Sequence, residues 1–262
     1  MTYDQPRGNF DMGRVIQRTF DVMGRNLGAF AGMALLTTFL PQAALGAAGI
    51  FVLQSQGDNV LAAGAGLGVV SWVVTLVGAY VLEAAILYAS VNDLNGRRVE
   101  FGKAISTGFS FVLPLFGLGI LMGLALLLGF ILLIVPGILM SIAWIVAAPA
   151  VVVEKVGVTA SFGRSADLTR NHRWPILGLS VVYLIVYFAL SWAATLMFGG
   201  LAAAAGGVTD FTSSGALLNI LVSPLVSAVL SLIGTTGVAS IYFELRSIKE
   251  GVGAKDLAAV FD

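Results

Sequence analysis

The fold is decided by residues 104–153, which read AISTGFSFVLPLFGLGILMGLALLLGFILLIVPGILMSIAWIVAAPAVVV and contain no charged side chain. As a single helix this stretch would be about 75 Å long at 1.5 Å per residue, whereas the hydrocarbon core of a bilayer is roughly 30 Å thick. It therefore has to fold back on itself. Because proline and glycine close tight turns, Pro136 and Gly137 predict a turn between two spans at about 112–134 and 138–153.

Four more apolar runs in the chain are long enough to cross a membrane. They lie at about 27–53, 60–91, 175–204 and 216–243, and each exceeds the roughly 20 residues that a transmembrane helix needs. Of all residues, 58% are hydrophobic and 11% are charged, whereas about 25% are charged in soluble domains. The sequence thus excludes a soluble globule. It predicts an all-α, polytopic membrane protein with six spans in a single transmembrane domain, residues 1–262.

The distribution of basic residues supports six spans. All 14 lysines and arginines fall in four segments, residues 1–26, 92–111, 154–173 and 244–262. With six spans these segments share one side of the membrane, and the positive-inside rule predicts that this side, with both termini, is the cytoplasm. Residues 1–26 are too long and too mixed in charge for a signal peptide, so we expect the first span to be retained.

A short pattern precedes each pair of spans. It is a glycine followed by a basic residue, at Gly13-Arg14, Gly102-Lys103 and Gly163-Arg164. The surrounding segments have mixed polarity at helical spacing, which is typical of a helix that lies in the membrane interface. We therefore predict three transmembrane hairpins, each preceded by a cytoplasmic interfacial helix. The alternative is a chance similarity of three short segments, and the sequence leaves both open.

Glycines recur at four-residue spacing in two of the spans or their approaches, at Gly24, Gly28 and Gly32 and again at Gly119 and Gly123. Small residues at this spacing let membrane helices approach each other closely. We expect this contact to be made inside one bundle. A contact between two copies of the chain is the alternative.

Glu83 is the one acidic residue well inside a predicted span. A charge at the centre of a membrane helix costs roughly 2.5–3.5 kcal/mol on insertion scales, so its side chain should face protein or water. Glu83 is therefore a candidate proton or ligand site. The alternative is a neutral or hydrogen-bonded carboxyl near the cytoplasmic interface, without a function of its own.

A basic and aromatic segment leads into the fifth span. Its candidate lipid-headgroup residues are Arg164, Arg170, His172, Arg173 and Trp174. Arginine and tryptophan at a membrane interface anchor helices, and a guanidinium also binds a lipid phosphate through two parallel hydrogen bonds. The two roles are compatible, so the segment is a candidate both for anchoring and for binding anionic headgroups.

The sequence contains no recognisable catalytic motif. Cysteine is absent and His172 is the single histidine, which excludes disulfides, thiolate metal sites and cysteine nucleophiles. The glycine-rich run at residues 64–68 lies inside an apolar span without the Lys-Ser/Thr pair of a phosphate-binding loop, and no zinc-helix or serine-elbow motif is present. We predict a protein that is not an enzyme and binds no metal, no cofactor and no nucleic acid.

The end of the last span has a distinctive pattern. It reads Tyr242-Phe243-Glu244-Leu245-Arg246 and is followed by Lys249-Glu250-Gly251. This run resembles the aromatic-acidic-Leu-Arg and basic-Glu-Gly ending of the glycerophosphoryl diester phosphodiesterase membrane domain family, with Glu244 in place of the commoner aspartate. The resemblance extends over most of residues 100–255.

The middle of the chain carries further residues of the same pattern. They are Pro136-Gly137, Trp144, Pro149, Glu154, Ala160, Arg164-Ser165 and Leu168. These positions resemble the family's Pro-Gly, Pro, Glu and Arg-Ser sequence, and a group of uncharacterised bacterial six-helix inner-membrane proteins is similar.

The resemblance implies a six-helix fold in a bacterial inner membrane and a role in membrane or lipid homeostasis. In fused members a separate soluble domain carries the phosphodiesterase activity, with a metal and a histidine pair that this chain lacks, so the activity does not carry over. We therefore predict a non-enzymatic module that binds anionic lipid, a partner membrane protein or a second copy of the chain. The alternative is a small transporter or channel that uses Glu83.

Overall fold

The computed structural model describes residues 10–54, 60–204 and 214–251, and every regular element in these ranges is a helix. Parts of two predicted connections between spans, at 55–59 and 205–213, lie outside the described residues, as do the two ends of the chain. The helices are α1 (Met12–Ala34), a π-helical turn (Leu35–Phe39), α2 (Leu40–Gln54), α3 (Val60–Leu94), α4 (Phe101–Leu132), α5 (Ile134–Ala143), α6 (Ala147–Glu154), α7 (Val158–Thr169), α8 (Arg173–Ala204) and α9 (Ser214–Glu250).

Six stretches of helix are long and apolar enough to span a membrane. They are Met12–Val52, Ala62–Leu94, Phe101–Leu132, Ile134–Glu154, Arg173–Gly199 and Val222–Glu250. The prediction of an all-helical, multi-pass membrane protein is confirmed at this level.

The chain reverses between the third and fourth spans at Leu133, three residues before the predicted turn. Leu133 is extended, with φ −164° and ψ 144°, whereas Pro136 and Gly137 lie in the first turn of α5. Proline is tolerated there because the N–H groups of a first turn have no helical carbonyl partner. Gly137 does not form the turn. It allows α5 to pack closely against α4, since a Cβ atom at this position would come 2.6 Å from the ring of Phe130.

The fourth span is interrupted between α5 and α6, at residues 144–146. The interruption leaves backbone groups without helical partners, and Ser165 of α7 satisfies two of them. Its hydroxyl accepts a hydrogen bond from the Val146 N–H at 3.2 Å and donates one to the Ala143 carbonyl at 2.8 Å. Helix α7 is thereby fixed against the break, which accounts for the full burial of Ser165.

Two of the three predicted interfacial segments are continuous with the spans that follow them. Helix α1 runs from Met12 into the first span, although Asn26 departs from helical geometry with φ −115° and ψ 17°. Helix α4 begins at Phe101 and continues past Pro114. Helix α7 is instead separated from α8, by the turn at residues 170–172. The Gly-basic pattern lies in or near the first turns of α1 and α4 and in the middle of α7.

Helix α3 lies at the centre of the bundle and packs against α2, α4, α6 and α9. Helix α9 also packs against α1 and α8, so the first and last helices of the described chain meet. Helices α1, α3 and α9 share a buried apolar cluster that includes Phe30, Ile86 and Leu232. This central cluster positions the polar side chains described below.

Close helix contacts are made at one glycine of the predicted stripes, Gly119 of α4, where a Cβ atom would come 2.4 Å from the Tyr80 hydroxyl of α3, and at two glycines outside the stripes. A Cβ atom at Gly108 of α4 would come 2.5 Å from the Val81 carbonyl oxygen of α3, and one at Gly78 would overlap the Thr37 carbonyl of the π-helical turn. By contrast, Gly24 and Gly28 have open space where a side chain would be. The expectation of close packing within the bundle therefore holds for α3, but not at Gly24 and Gly28.

Candidate functional site

The ion pairs of the described residues gather at one end of the bundle, where α1 begins and α3, α6 and α9 end. We call this region the charged end. Its main members are Arg14, Arg18, Glu154, Arg164, Tyr242, Glu244, Arg246 and Glu250. Most of them are brought together by helical spacing, because Arg14 and Arg18 are one turn apart, as are Tyr242, Arg246 and Glu250.

Glu244 joins the last helix to the first. Its carboxylate is fully buried, and it accepts hydrogen bonds from Arg14 at 2.8 Å and from Arg18. The Arg18 guanidinium also lies 5.2 Å from the centre of the Phe243 ring. A second contact of α1, between Arg25 and Asp93 at 2.6 Å, ties the same helix to the end of α3. Buried charges persist only when they are paired in this way.

Glu154 and Glu250 share the guanidinium of Arg164. Arg164 donates to both oxygens of Glu154, at 2.7 and 2.9 Å, and also to Glu250. This two-pronged geometry is the strong form of an arginine–carboxylate pair. The hydrogen bond to Glu154 is the main reason why the pKa of Arg164 lies above its ordinary value. Helices α6, α7 and α9 are thus joined at a single arginine.

Tyr242 and Arg246, both on α9, complete the hydrogen-bond network around Glu154 and Glu250. The Tyr242 hydroxyl donates to Glu154 at 2.7 Å and accepts from Arg246 at 3.2 Å, while Arg246 also donates to Glu250 at 2.8 Å. The carboxylates of the charged end therefore all have arginine partners. These hydrogen bonds join α6, α7 and α9 to one another. In the described ranges no group of three His, Cys, Asp or Glu side chains could hold a metal ion.

The part of the sequence resemblance between Trp144 and Leu168 comes together in α5, α6 and α7, whereas Pro136 and Gly137 lie at the start of α5 against Phe130. Trp144 stacks edge-on against Phe162 at 4.8 Å, Pro149 is buried in α6, and Leu168 is fully buried. Glu154 and Arg164 form the ion pair described above. The pattern thus describes one packing unit of α5, α6, α7 and α9.

The predicted headgroup residues divide into two groups. Arg164 is held by two carboxylates, whereas Arg170 is exposed and has neither a hydrogen-bond nor an ion-pair partner among the described residues. The remaining three lie with Arg170 at the turn between α7 and α8, which we call the α7–α8 corner. Here the His172 Nδ1 and Arg173 Nε atoms are buried without a hydrogen-bond partner in the described chain, and Trp174 is 83% exposed.

Glu83 lies in α3 away from both regions. Its side chain is partly buried and makes no hydrogen bond or ion pair with any residue that the structure describes. The structure therefore does not bring Glu83 to the arginines of either region.

A family model matches a little over half of the chain, including half of the residues named for the charged end. It is described as a domain of unknown function, DUF7847, and it matches residues 101–245. The chain belongs to the DUF7847 family. No curated protein and no solved structure matches it significantly. The family carries no stated activity, and the resemblance to the glycerophosphoryl diester phosphodiesterase membrane domain stays a prediction.

The matched region of this DUF7847 member includes Glu154, Arg164, Tyr242 and Glu244 but ends before Arg246 and Glu250. Helix α1, which supplies the arginine partners of Glu244 and Asp93, and helix α3, which carries Asp93, lie outside it. Sequence reasoning missed the pairing of Arg14 and Arg18 with Glu244. Arg14 and Arg18 are one turn apart on a helix with few other charges. This spacing indicates that they share one face of α1, but it does not indicate which helix that face contacts.

Proposed function

We propose that this DUF7847 protein is a non-enzymatic, six-span membrane module that binds the phosphate of anionic lipids at its α7–α8 corner. The observation that carries the proposal is that the arginines of this corner are not paired with carboxylates. Arg170 and Arg173 have no carboxylate partner in the described chain, and they precede the exposed Trp174 at the start of a membrane-length helix. Basic residues near an anionic surface each contribute about 1 kcal/mol to binding.

The setting of the corner is part of the proposal. We infer that the charged end faces the cytoplasm of a bacterial cell, because all basic residues fall in segments on that side of a six-span chain. The starts of α1 and α4 then lie in the membrane interface. This is supported by their exposed apolar side chains, Met12, Ile16 and Phe20 on α1 and Phe109 on α4. The α7–α8 corner is then at the depth of the inner-leaflet headgroups.

Orientation is tested by single-cysteine labelling, which is direct because the chain has no cysteine. Asp58→Cys lies in the predicted outer connection, outside the described residues, and Arg98→Cys lies at an exposed turn after α3. In intact cells an impermeant maleimide should label the first and not the second. Labelling of Arg98→Cys from outside would overturn the orientation.

Lipid binding is tested by comparing two double variants in nanodiscs that contain phosphatidylglycerol. Arg170→Gln/Arg173→Gln should lower the affinity for phosphatidylglycerol by about thirtyfold, from two contributions of about 1 kcal/mol each. Arg97→Gln/Arg98→Gln is the matched control, because it removes two exposed arginines from another turn at the same end. Native mass spectrometry counts the bound lipid molecules. Parallel measurements with phosphatidylcholine and with inorganic phosphate distinguish binding of an anionic lipid from binding of a zwitterionic lipid or of free phosphate. Equal retention of phosphatidylglycerol by both variants would refute the proposal.

A further inference from the structure

Three buried hydroxyls on α3 and α9 have no hydrogen-bond partner in the described chain. They belong to Ser90, Thr236 and Ser240, and each of these residues has 0% of its surface exposed. Other buried hydroxyls bond to a backbone carbonyl, as Thr19 does to Val15 of its own helix at 2.8 Å and Ser165 does to Ala143 of α5. Buried polar groups that lack a protein partner are typically bonded to internal water. The three hydroxyls therefore indicate where water enters the bundle.

Helical spacing places these hydroxyls in line with two carboxyls. On α9, Thr236, Ser240 and Glu244 follow each other at intervals of four residues, so their side chains stack along one face. On α3, Glu83 and Ser90 are seven residues apart, which is about two turns, and also share a face. Each helix thus carries a line of polar groups through apolar surroundings.

The two polar lines lie on helices that pack against each other. Ile86 lies between Glu83 and Ser90 on α3, and Leu232 lies one turn before Thr236 on α9. Both belong to the buried cluster shared by α1, α3 and α9, and the two helices pack against each other. Glu244 lies at the charged end of this interface and Glu83 lies deeper, about 16 Å from the end of α3 at 1.5 Å per residue.

Glu83 has no cation to pair with. No lysine, arginine or histidine occurs in residues 26–96, 104–153 or 174–245. The arginines of α1 nearest this interface, Arg14 and Arg18, are bound to Glu244. Tyr80 lies one turn before Glu83 on the same helix. A carboxyl at this depth without a counter-ion or a set of metal ligands is stable in its protonated form.

We propose that Glu83 is a proton-binding site, reached from the charged end through internal water held by Ser90, Thr236 and Ser240. The carboxylic acid of Glu83 gives its proton to the adjacent water and becomes a carboxylate, and the same water chain returns a proton to it. Only O–H bonds form and break, so no other reactant is needed. This site does not depend on lipid binding at the α7–α8 corner.

The protonation of Glu83 is tested by infrared spectroscopy of the full-length protein in nanodiscs at neutral pH. A protonated carboxyl gives a carbonyl absorption that a carboxylate lacks. The wild type should show this absorption, and Glu83→Gln, which keeps the shape of the side chain, should lose it. An absorption that is absent from the wild type, or unchanged in Glu83→Gln, would overturn the proposal.

The water chain is tested by the rate at which the Glu83 carboxyl exchanges its proton in heavy water. Thr236→Val and Ser240→Ala should each slow the exchange by roughly tenfold, the effect of losing one hydrogen bond, without removing the absorption. Thr195→Val is the control, because its hydroxyl lies on the exposed side of α8 and bonds to Ser191 in its own helix. Exchange as fast in Thr236→Val and Ser240→Ala as in the control would overturn the pathway.

Discussion

Replacing Arg14 and Arg18, the two arginines that bind Glu244, should lower the free energy of unfolding by more than the loss of two exposed ion pairs would. We consider Arg14→Met/Arg18→Met, because methionine keeps most of the apolar length of arginine but donates no hydrogen bond. Glu244 is fully buried, whereas the Arg14 and Arg18 side chains are 48% and 28% exposed. The double variant therefore leaves a buried carboxylate without a partner.

The expected magnitudes follow from these exposures. Arg14→Met should reduce the free energy of unfolding by about 1 kcal/mol, since the pair is partly screened by solvent and Arg18 remains. Arg18→Met should reduce it by about 2 kcal/mol, as for a hydrogen bond to a charged group. The double variant should lose about 3–5 kcal/mol, the effect of stranding a buried charge. Adding Glu244→Met to the double variant should restore most of the lost stability. A buried ion pair and well-packed apolar side chains of similar volume make similar contributions to stability.

These values are measured by denaturation in detergent micelles, followed by tryptophan fluorescence. Arg25→Met is the control, because it breaks the pair with Asp93 at a guanidinium that is 55% exposed and should cost about 1 kcal/mol or less. The reasoning is refuted if the double variant is as stable as the Arg25 control, or if the triple variant is no more stable than the double.

Two further substitutions test the packing. Ser165→Ala should reduce the free energy of unfolding by about 1–3 kcal/mol, because the N–H of Val146 loses its partner inside the protein; Ser161→Ala, which removes a hydroxyl bonded only within α7, should cost less in the same denaturation assay. Gly108→Ala should lower the yield of folded protein in size-exclusion chromatography, since its Cβ would lie 2.5 Å from a carbonyl of α3, while Gly28→Ala should leave the yield unchanged in its open surroundings. Equal yields of both glycine variants would contradict the observed contact between α3 and α4.

The parts of the fold that depend on local composition could be predicted from the sequence. Six apolar runs, separated by charged segments, polar connections or the Pro136-Gly137 pair, correspond to six membrane-length helical stretches, because run length and charge decide insertion. The sequence predicted the turn between the third and fourth spans at Pro136, three residues after its observed position at Leu133. Proline is as compatible with the first turn of a helix as with a turn between helices. Glu83 was recognised by its charge alone, since an intramembrane carboxyl stands out against apolar neighbours.

The pairing at the charged end could not be predicted in the same way. The spacing of Arg14 and Arg18 identifies one face of α1, and the spacing of Arg246 and Glu250 identifies one face of α9. Which faces meet depends on the order of helices around α3, which no local pattern encodes. For the same reason Arg164 was grouped with Arg170, although a carboxylate of α6 lies within reach of only the former.

The contact between Arg14 and Glu244 joins residues 230 positions apart in the chain. During synthesis α1 leaves the ribosome before α9, so this contact forms only after the helices between them have been made. Until then Arg14 and Arg18 lack the carboxylate that binds both of them. A nascent chain interrupted before α9 would present Arg14, Arg18 and Arg164 without most of their partners. Arrival of the last helix thus completes the assembly, and the exposed charge before that step distinguishes an unfinished protein from a finished one.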